Sequence, residues 1–197
     1  MTKLHPTKSH LLETAVALID EFGPQGFTVD TLLERSSISK GSLYHHFEDF
    51  SDVIEQAQVA RFSRYIDEDI RLLFETLSAS TSGADLRTRF GAVVLATSSP
   101  DRAANRADRA TIVGLARFSK NFANALSIEQ QRVTDAIADI IREAQERGWI
   151  RSDVDARVVA TFIQAYTLGF VLNDVTIDPV APEQWATFIG EILAARL

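Results

Sequence analysis

Apolar residues recur at helical spacing along almost the whole chain. Leu11, Leu12, Ala15, Val16, Leu18, Ile19 and Phe22 form one stripe, and Gly23 supplies the residue that closes such a helix in a left-handed cap. Pro24-Gln25-Gly26 reads as a turn. Thr28 then stands as an N-cap, with Phe27 before it and Leu32 four residues after, the spacing of a hydrophobic staple. A short helix follows to about Arg35. Ser39 repeats the device, with Ile38 before it and Leu43 at the staple position. Two short helices, each with its own start signal and only a few residues between them, have the layout of a helix-turn-helix.

A long helix is expected over residues 51–77, with Ile66, Ile70, Leu73 and Leu77 on one stripe. The Ser-rich stretch 78–83 is a loop by composition, 85–97 the next helix, and Pro100 its break. Residues 101–123 read as helical but less regular. Ser127 with Gln130 has the form of a capping box, opening a helix that runs through Ile137, Ile140, Ile141 and Ala144 to Gly148. Asp155 caps a helix to about Leu172, and Pro182 suits the first turn of a final helix over 183–195. No strand pattern competes. The expected fold is all-α: a three-helix N-terminal domain carrying the helix-turn-helix (1–50), then a larger helical domain (51–197).

Charge complicates a nucleic-acid reading. The chain has 197 residues and a net charge of −7, and within 1–50 the basic residues Lys3, Lys8, Arg35 and Lys40 face seven acids. Between Arg35 and Phe47, however, lie Arg35, Lys40, His45 and His46 and no acid. A small acid-free island is what a DNA-reading face needs. There is no cysteine, so neither a disulfide framework nor a thiolate site is available. The N-terminal residues lack the apolar stretch of a secretory signal, and no apolar run is long enough to span a membrane, so a cytoplasmic protein is expected.

The second short helix carries the chemistry. Leu43 and Phe47, four apart, share an inward face. Lys40, Ser42, Tyr44, His45 and His46 occupy the other faces, and Gly41 lets the backbone come close to DNA. Lys40 can donate to guanine or phosphate, Ser42 to either, and Tyr44, His45 and His46 to phosphate oxygens. Thr28 and Ser39 sit at helix starts, where backbone N–H groups favour phosphate. The competing assignments are structural: Tyr44 closing a small core, Lys40 as a solvated charge. A metal site at His45, His46, Glu48 and Asp49 is disfavoured, because adjacent histidines diverge by about 100° on a helix.

Gly26, Phe27, Thr28, Leu32, Ile38, Ser39, Lys40, Gly41, Ser42, Leu43, Tyr44, His46 and Phe47 together resemble the N-terminal domain of the TetR family of regulators, the tetracycline-repressor type, over roughly residues 8–55. The resemblance implies an all-helical, ligand-responsive DNA-binding transcription regulator that acts as a homodimer. Two positions depart from the family pattern. Ser37 stands in the turn where Gly is common, which predicts a slightly different turn. Phe50 stands where a phosphate-contacting Lys is common, which predicts one phosphate contact fewer.

In the larger domain, Phe62, Tyr65, Phe90, Phe118, Phe122 and Tyr166 are candidates to line a cavity for a small, largely apolar effector. Each also fits an ordinary core. The helix over 155–172 is apolar nearly all round and must be covered on both sides. With the final helix it would form a four-helix dimer interface, as the family resemblance implies, with Phe162, Phe170, Trp185, Phe188 and Ile192 at its centre; the other solution is a monomer with a central buried helix. No Gly-rich phosphate loop, His-Glu-x-x-His, Gly-x-Ser-x-Gly or cysteine nucleophile is present, so no enzyme, cofactor or metal is expected. The alternatives to a DNA-binding repressor are a helical ligand-binding or scaffold protein without DNA binding and, behind that, a small all-α enzyme.

Overall fold

The structure, a computed structural model, describes residues 5–196. Every regular element among them is helical: α1 (Pro6–Phe22), α2 (Val29–Ser36), α3 (Lys40–His46), α4 (Phe50–Ala79), α5 (Gly83–Thr97), α6 (Ala103–Leu115), α7 (Lys120–Glu146), α8 (Ala156–Gly169), the single turn α9 (Val171–Asp174) and α10 (Pro182–Arg196). Short 3-10 turns at Pro100–Arg102 and Ala116–Phe118 lead into α6 and α7. Two compact units form. One comprises the chain up to Arg64 with Ala116–Leu126, the other Tyr65–Leu115 with the residues from Ser127 onward.

The first unit is built as its caps dictate. The Thr28 hydroxyl accepts the Thr31 N–H (3.3 Å), the Ser39 hydroxyl accepts the Ser42 N–H (3.3 Å), and each satisfies a donor that the helix start leaves open. Leu11, Leu18, Leu32 and Leu43 are fully buried around Phe27, Phe47, Val53 and Ala57. Truncating any of these leucines to Ala costs about 2–5 kcal/mol by lost transfer energy and the cavity left behind. Gly26 is required by space: a Cβ there would lie 2.0 Å from the Phe22 carbonyl oxygen. Asp49 caps α4 by accepting the Asp52 N–H (2.8 Å), while the Asp52 carboxylate accepts the Glu48 N–H (3.1 Å).

The second unit packs Ile66, Leu73, Leu77, Val94, Ile112, Val133, Ile137, Ile163 and Ile189 as buried side chains from α4, α5, α6, α7, α8 and α10. One polar knot is buried among them. Arg106, 4% exposed, donates to both Asp174 oxygens (2.7 and 2.6 Å) and to the carbonyls of Thr97 (2.6 Å) and Ser99 (3.1 Å), and its guanidinium lies over the Phe170 ring. A buried guanidinium is tolerated only when its donors are satisfied in this way.

Two boundaries differ by several residues from the sequence reading. Ser127 does not open a helix: α7 starts seven residues earlier, because Ser119 accepts the Phe122 N–H (3.2 Å) and takes the capping role first. The helix capped by Asp155 ends at Gly169 rather than near Leu172, and α9 follows as a separate turn. Within the single chain that helix is covered on one face. Ala156, Val159, Ala160, Ile163 and Tyr166 are buried, whereas Val158 and Phe162 on the opposite face are 63% and 38% exposed.

Candidate nucleic-acid interface

Helix α3 divides its side chains by face. Leu43 and Phe47 are buried, whereas Lys40, Gly41, Tyr44 and His45 are exposed and Ser42 and His46 half-buried. Among the described residues, Lys40 and Tyr44 have no hydrogen-bond or ion-pair partner, so an ammonium and a phenol donor stand free on one surface. Apart from its own stretch of helix backbone, nothing among the described residues lies within 4 Å of where a Gly41 Cβ would be, so the backbone there is open to approach. Thr28 is exposed at the start of α2, its hydroxyl 3.1 Å from that of Thr31. Between the helices Ser37 adopts φ 57°, ψ 26°, the left-handed conformation. The turn therefore keeps the geometry that Gly would favour, and Ser bears the steric cost.

Two further residues belong to this surface, and the sequence reading missed them. His5 stacks on His46 with ring centroids 4.8 Å apart, and Lys8 lies over the Phe47 ring at 5.0 Å. His45 packs edge-on to His46 at 5.0 Å. Partial desolvation, then the nearby charges of His5, His45 and Lys8, hold the His46 imidazole below its ordinary pKa. The available signal was His5-Pro6, an N-cap followed by Pro, which fixes where α1 begins. Conversely, Arg35 is not free, because it pairs with Glu21 of α1 at 2.7 Å.

The second unit holds an apolar cavity of about 70 Å³, lined mainly by Leu73, Leu77, Phe90, Ile137, Ile141 and Trp149. Of the six aromatic candidates for effector contact, Phe90 lines this cavity. Tyr166 borders a smaller void of about 30 Å³ that shares Leu73, Ile137 and Ile163 with it. The Tyr65 hydroxyl donates to Asp108 (2.9 Å) in the same unit. Phe62, Phe118 and Phe122 lie in the first unit: Phe62 and Phe122 are buried, and Phe118 is 74% exposed.

The interface candidates are drawn together by ring contacts. Trp185 of α10 meets Phe170 at 5.2 Å and Phe188 at 6.4 Å, and Tyr166 links it to Phe162. Phe162 and Phe188 are exposed, Trp185 and Ile192 half-buried, and Phe170 is buried within its own chain.

Comparison with known proteins places these features. Residues 11–57 match the family described as bacterial regulatory proteins, tetR family, and residues 87–197 match the BetI-type transcriptional repressor, C-terminal domain. The HTH-type transcriptional repressor AcnR of Corynebacterium diphtheriae is 27% identical over 171 residues, covering 86% of this chain and 82% of that protein. The HTH-type transcriptional regulator UidR of Escherichia coli K12 is 25% identical over an alignment of 210 residues, covering 98% and 96%. Among solved structures, Salmonella enterica GusR superposes with a TM-score of 0.63 at 23% identity, over 99% of this chain and 97% of that one, a likeness of fold. A capped helix-turn-helix ahead of a helical C-terminal region, matched in both parts, makes the chain a member of the TetR family of DNA-binding, ligand-responsive transcription regulators.

Proposed function

We propose that this regulator is a repressor that grips a near-palindromic operator as a homodimer and is released by a small, largely apolar effector. In this reading residues 1–50 read DNA and 51–197 sense and dimerise, in the cytoplasm, without a cofactor and without catalysis. Lys40 and Ser42 contact bases or phosphates. Thr28, Ser39, Gly41, Tyr44, His45 and His46 hold the phosphate backbone, Ser39 and Gly41 through their backbone N–H groups. The observation that carries it is the exposed, unpartnered pair Lys40 and Tyr44 on α3, a helix whose Leu43 is buried.

One recognition helix offers too few contacts for a specific site. Regulators of this family act as dimers, and the exposed apolar face of α8 with Phe188 of α10 is the surface proposed for pairing. Two recognition helices would then enter successive major grooves, about 34–36 Å apart or a multiple of that. The effector is proposed to occupy the cavity around Phe90. Helix α4 carries residues of both units on one continuous backbone, a route by which the effector could act on the reading head. Any coupling must be reciprocal: effector and operator weaken each other by the same factor, typically about 5–150-fold. Selecting duplexes from a random pool with purified full-length protein tests the reading. A recovered near-palindrome supports it, and a folded protein that enriches no sequence at low salt overturns it.

A further inference from the structure

The cavity in the second unit has one charged lining residue, Arg87. Its setting differs from that of the other arginines. Arg89 on the same helix pairs with Asp85, and Arg102, Arg106, Arg109, Arg132, Arg142, Arg147, Arg151 and Arg157 each meet a carboxylate. Among the arginines of this unit whose side chains are described, Arg87, which is exposed at the edge of the cavity, alone has neither an ion pair nor a hydrogen bond nor a ring contact. Arg87, Phe90 and Gly91 fall three and four residues apart on α5, so they share one face.

Two glycines complete the lining, Gly91 in α5 and Gly190 in α10. Glycine inside a helix is less favourable than Ala and is normally kept where a neighbour comes too close for a methyl group. Among the described residues neither position has such a neighbour: apart from its own stretch of helix backbone, nothing lies within 4 Å of a Cβ built at either. Both therefore enlarge a void rather than relieve a contact. Of the uncharged polar side chains on the wall, Thr76 already donates its hydroxyl to the Leu72 carbonyl at 2.7 Å, which leaves the indole N–H of Trp149.

From the unpaired guanidinium at an otherwise uncharged apolar void we infer that the effector is an amphipathic anion. Its carboxylate or phosphate end meets Arg87, and an unbranched apolar chain lies along Phe90, Gly91 and Gly190. The chain is short as well as slender because the void, about 70 Å³, is under half the size of the engineered cavity of about 150 Å³ that takes up benzene. The inference rests on the proposed effector role of this cavity, but its test reads binding without DNA.

Calorimetry on the full-length protein with butyrate, butyl phosphate and butan-1-ol separates the terms. Binding of one or both anions at least about tenfold tighter than the alcohol, with the advantage lost in Arg87→Gln, is the expected result. Whichever anion is preferred identifies the head group. Gly91→Leu should fill the void, raise the Tm and abolish binding of all three. Equal affinity for alcohol and anions, or an unchanged preference in Arg87→Gln, overturns the inference, as does the absence of binding by all three at millimolar concentration. Operator release is then measured separately. Anion binding through Arg87 without any change in operator affinity upholds this site and contradicts the effector role.

Discussion

Phe50 stands edge-on to Phe27, with ring centroids 5.7 Å apart and planes at 90°. The residue that replaces the family's usual lysine at this position is therefore committed to the core of the DNA-binding unit, clamping the start of α4 against the entry to α2. Edge-to-face pairs are worth about 0.5–1.5 kcal/mol beyond their burial. Phe50→Lys should cost about 1–3 kcal/mol in urea unfolding. It should also let each protomer neutralise one more phosphate, steepening the salt dependence of operator affinity by about 0.9 for each. An unchanged salt slope would show that position 50 does not face the DNA backbone.

Ser37 predicts a gain. It holds a left-handed conformation that costs an L-residue roughly 1–2 kcal/mol and glycine nothing, partly offset by the greater freedom of glycine when unfolded. Ser37→Gly should raise stability by about 0.5–1 kcal/mol while leaving operator preference as it is. Thermal unfolding and a competition gel-shift check the two halves.

The histidine stack gives pH effects of opposite sign. His46 titrates below its ordinary 6.5, first because it is partly desolvated and then because His5, His45 and Lys8 repel its proton. In the window below 6.5 the unfolded chain binds more protons at this site than the folded one. Its contribution to stability is therefore present above 6.5 and lost as pH falls through the lowered value. Operator phosphates reverse the preference, since an imidazolium facing them is stabilised. DNA affinity should rise as pH falls from 7 toward 5.5, and His46→Gln should flatten that rise. A wild-type affinity independent of pH would remove His46 from the interface.

Arg106 and Asp174 test the second unit. Asp174→Ala leaves a buried guanidinium uncompensated and should destabilise by about 3–5 kcal/mol. The double change Arg106→Met, Asp174→Ala should recover part of that loss, because it removes the unpaired charge. For the interface, Phe162→Glu and Phe188→Glu, both exposed in the single chain, should yield folded monomers that no longer hold the operator. Phe170→Glu should unfold the unit instead, since Phe170 is 5% exposed beneath Arg106. Sedimentation with circular dichroism separates the two outcomes.

Much of the N-terminal unit was legible because its signals are local. Thr28 and Ser39 each carry a cap and a staple within five residues, and the 3.6-residue stripe from Leu11 to Ile19 needs no distant partner to be recognised. Where two caps compete, local reading fails: Ser127 with Gln130 has the form of a capping box, yet Ser119 starts the same helix earlier. The His5–His46 stack, the Arg35–Glu21 pair and the wall that Arg87 shares with Gly190 all depend on tertiary packing. A stripe of apolar residues shows that a helix is buried, not which partner covers it. Hence the aromatic candidates of the larger domain fell in both units, whereas the polar residues of α3 are exposed or half-buried, as the buried Leu43 and Phe47 require.

The most direct test of the central claim is the affinity of Lys40→Ala against wild type for one selected duplex, titrated with salt. A folded Lys40→Ala dimer should bind about 5–150-fold more weakly, a loss of about 1–3 kcal/mol. If Lys40 reads a base, discrimination at one operator position should relax. If it meets phosphate, the salt slope should shrink by about 0.9 for each phosphate no longer neutralised. A folded variant that matches wild type in affinity, base preference and salt slope would contradict the assignment of α3 as the DNA-reading helix.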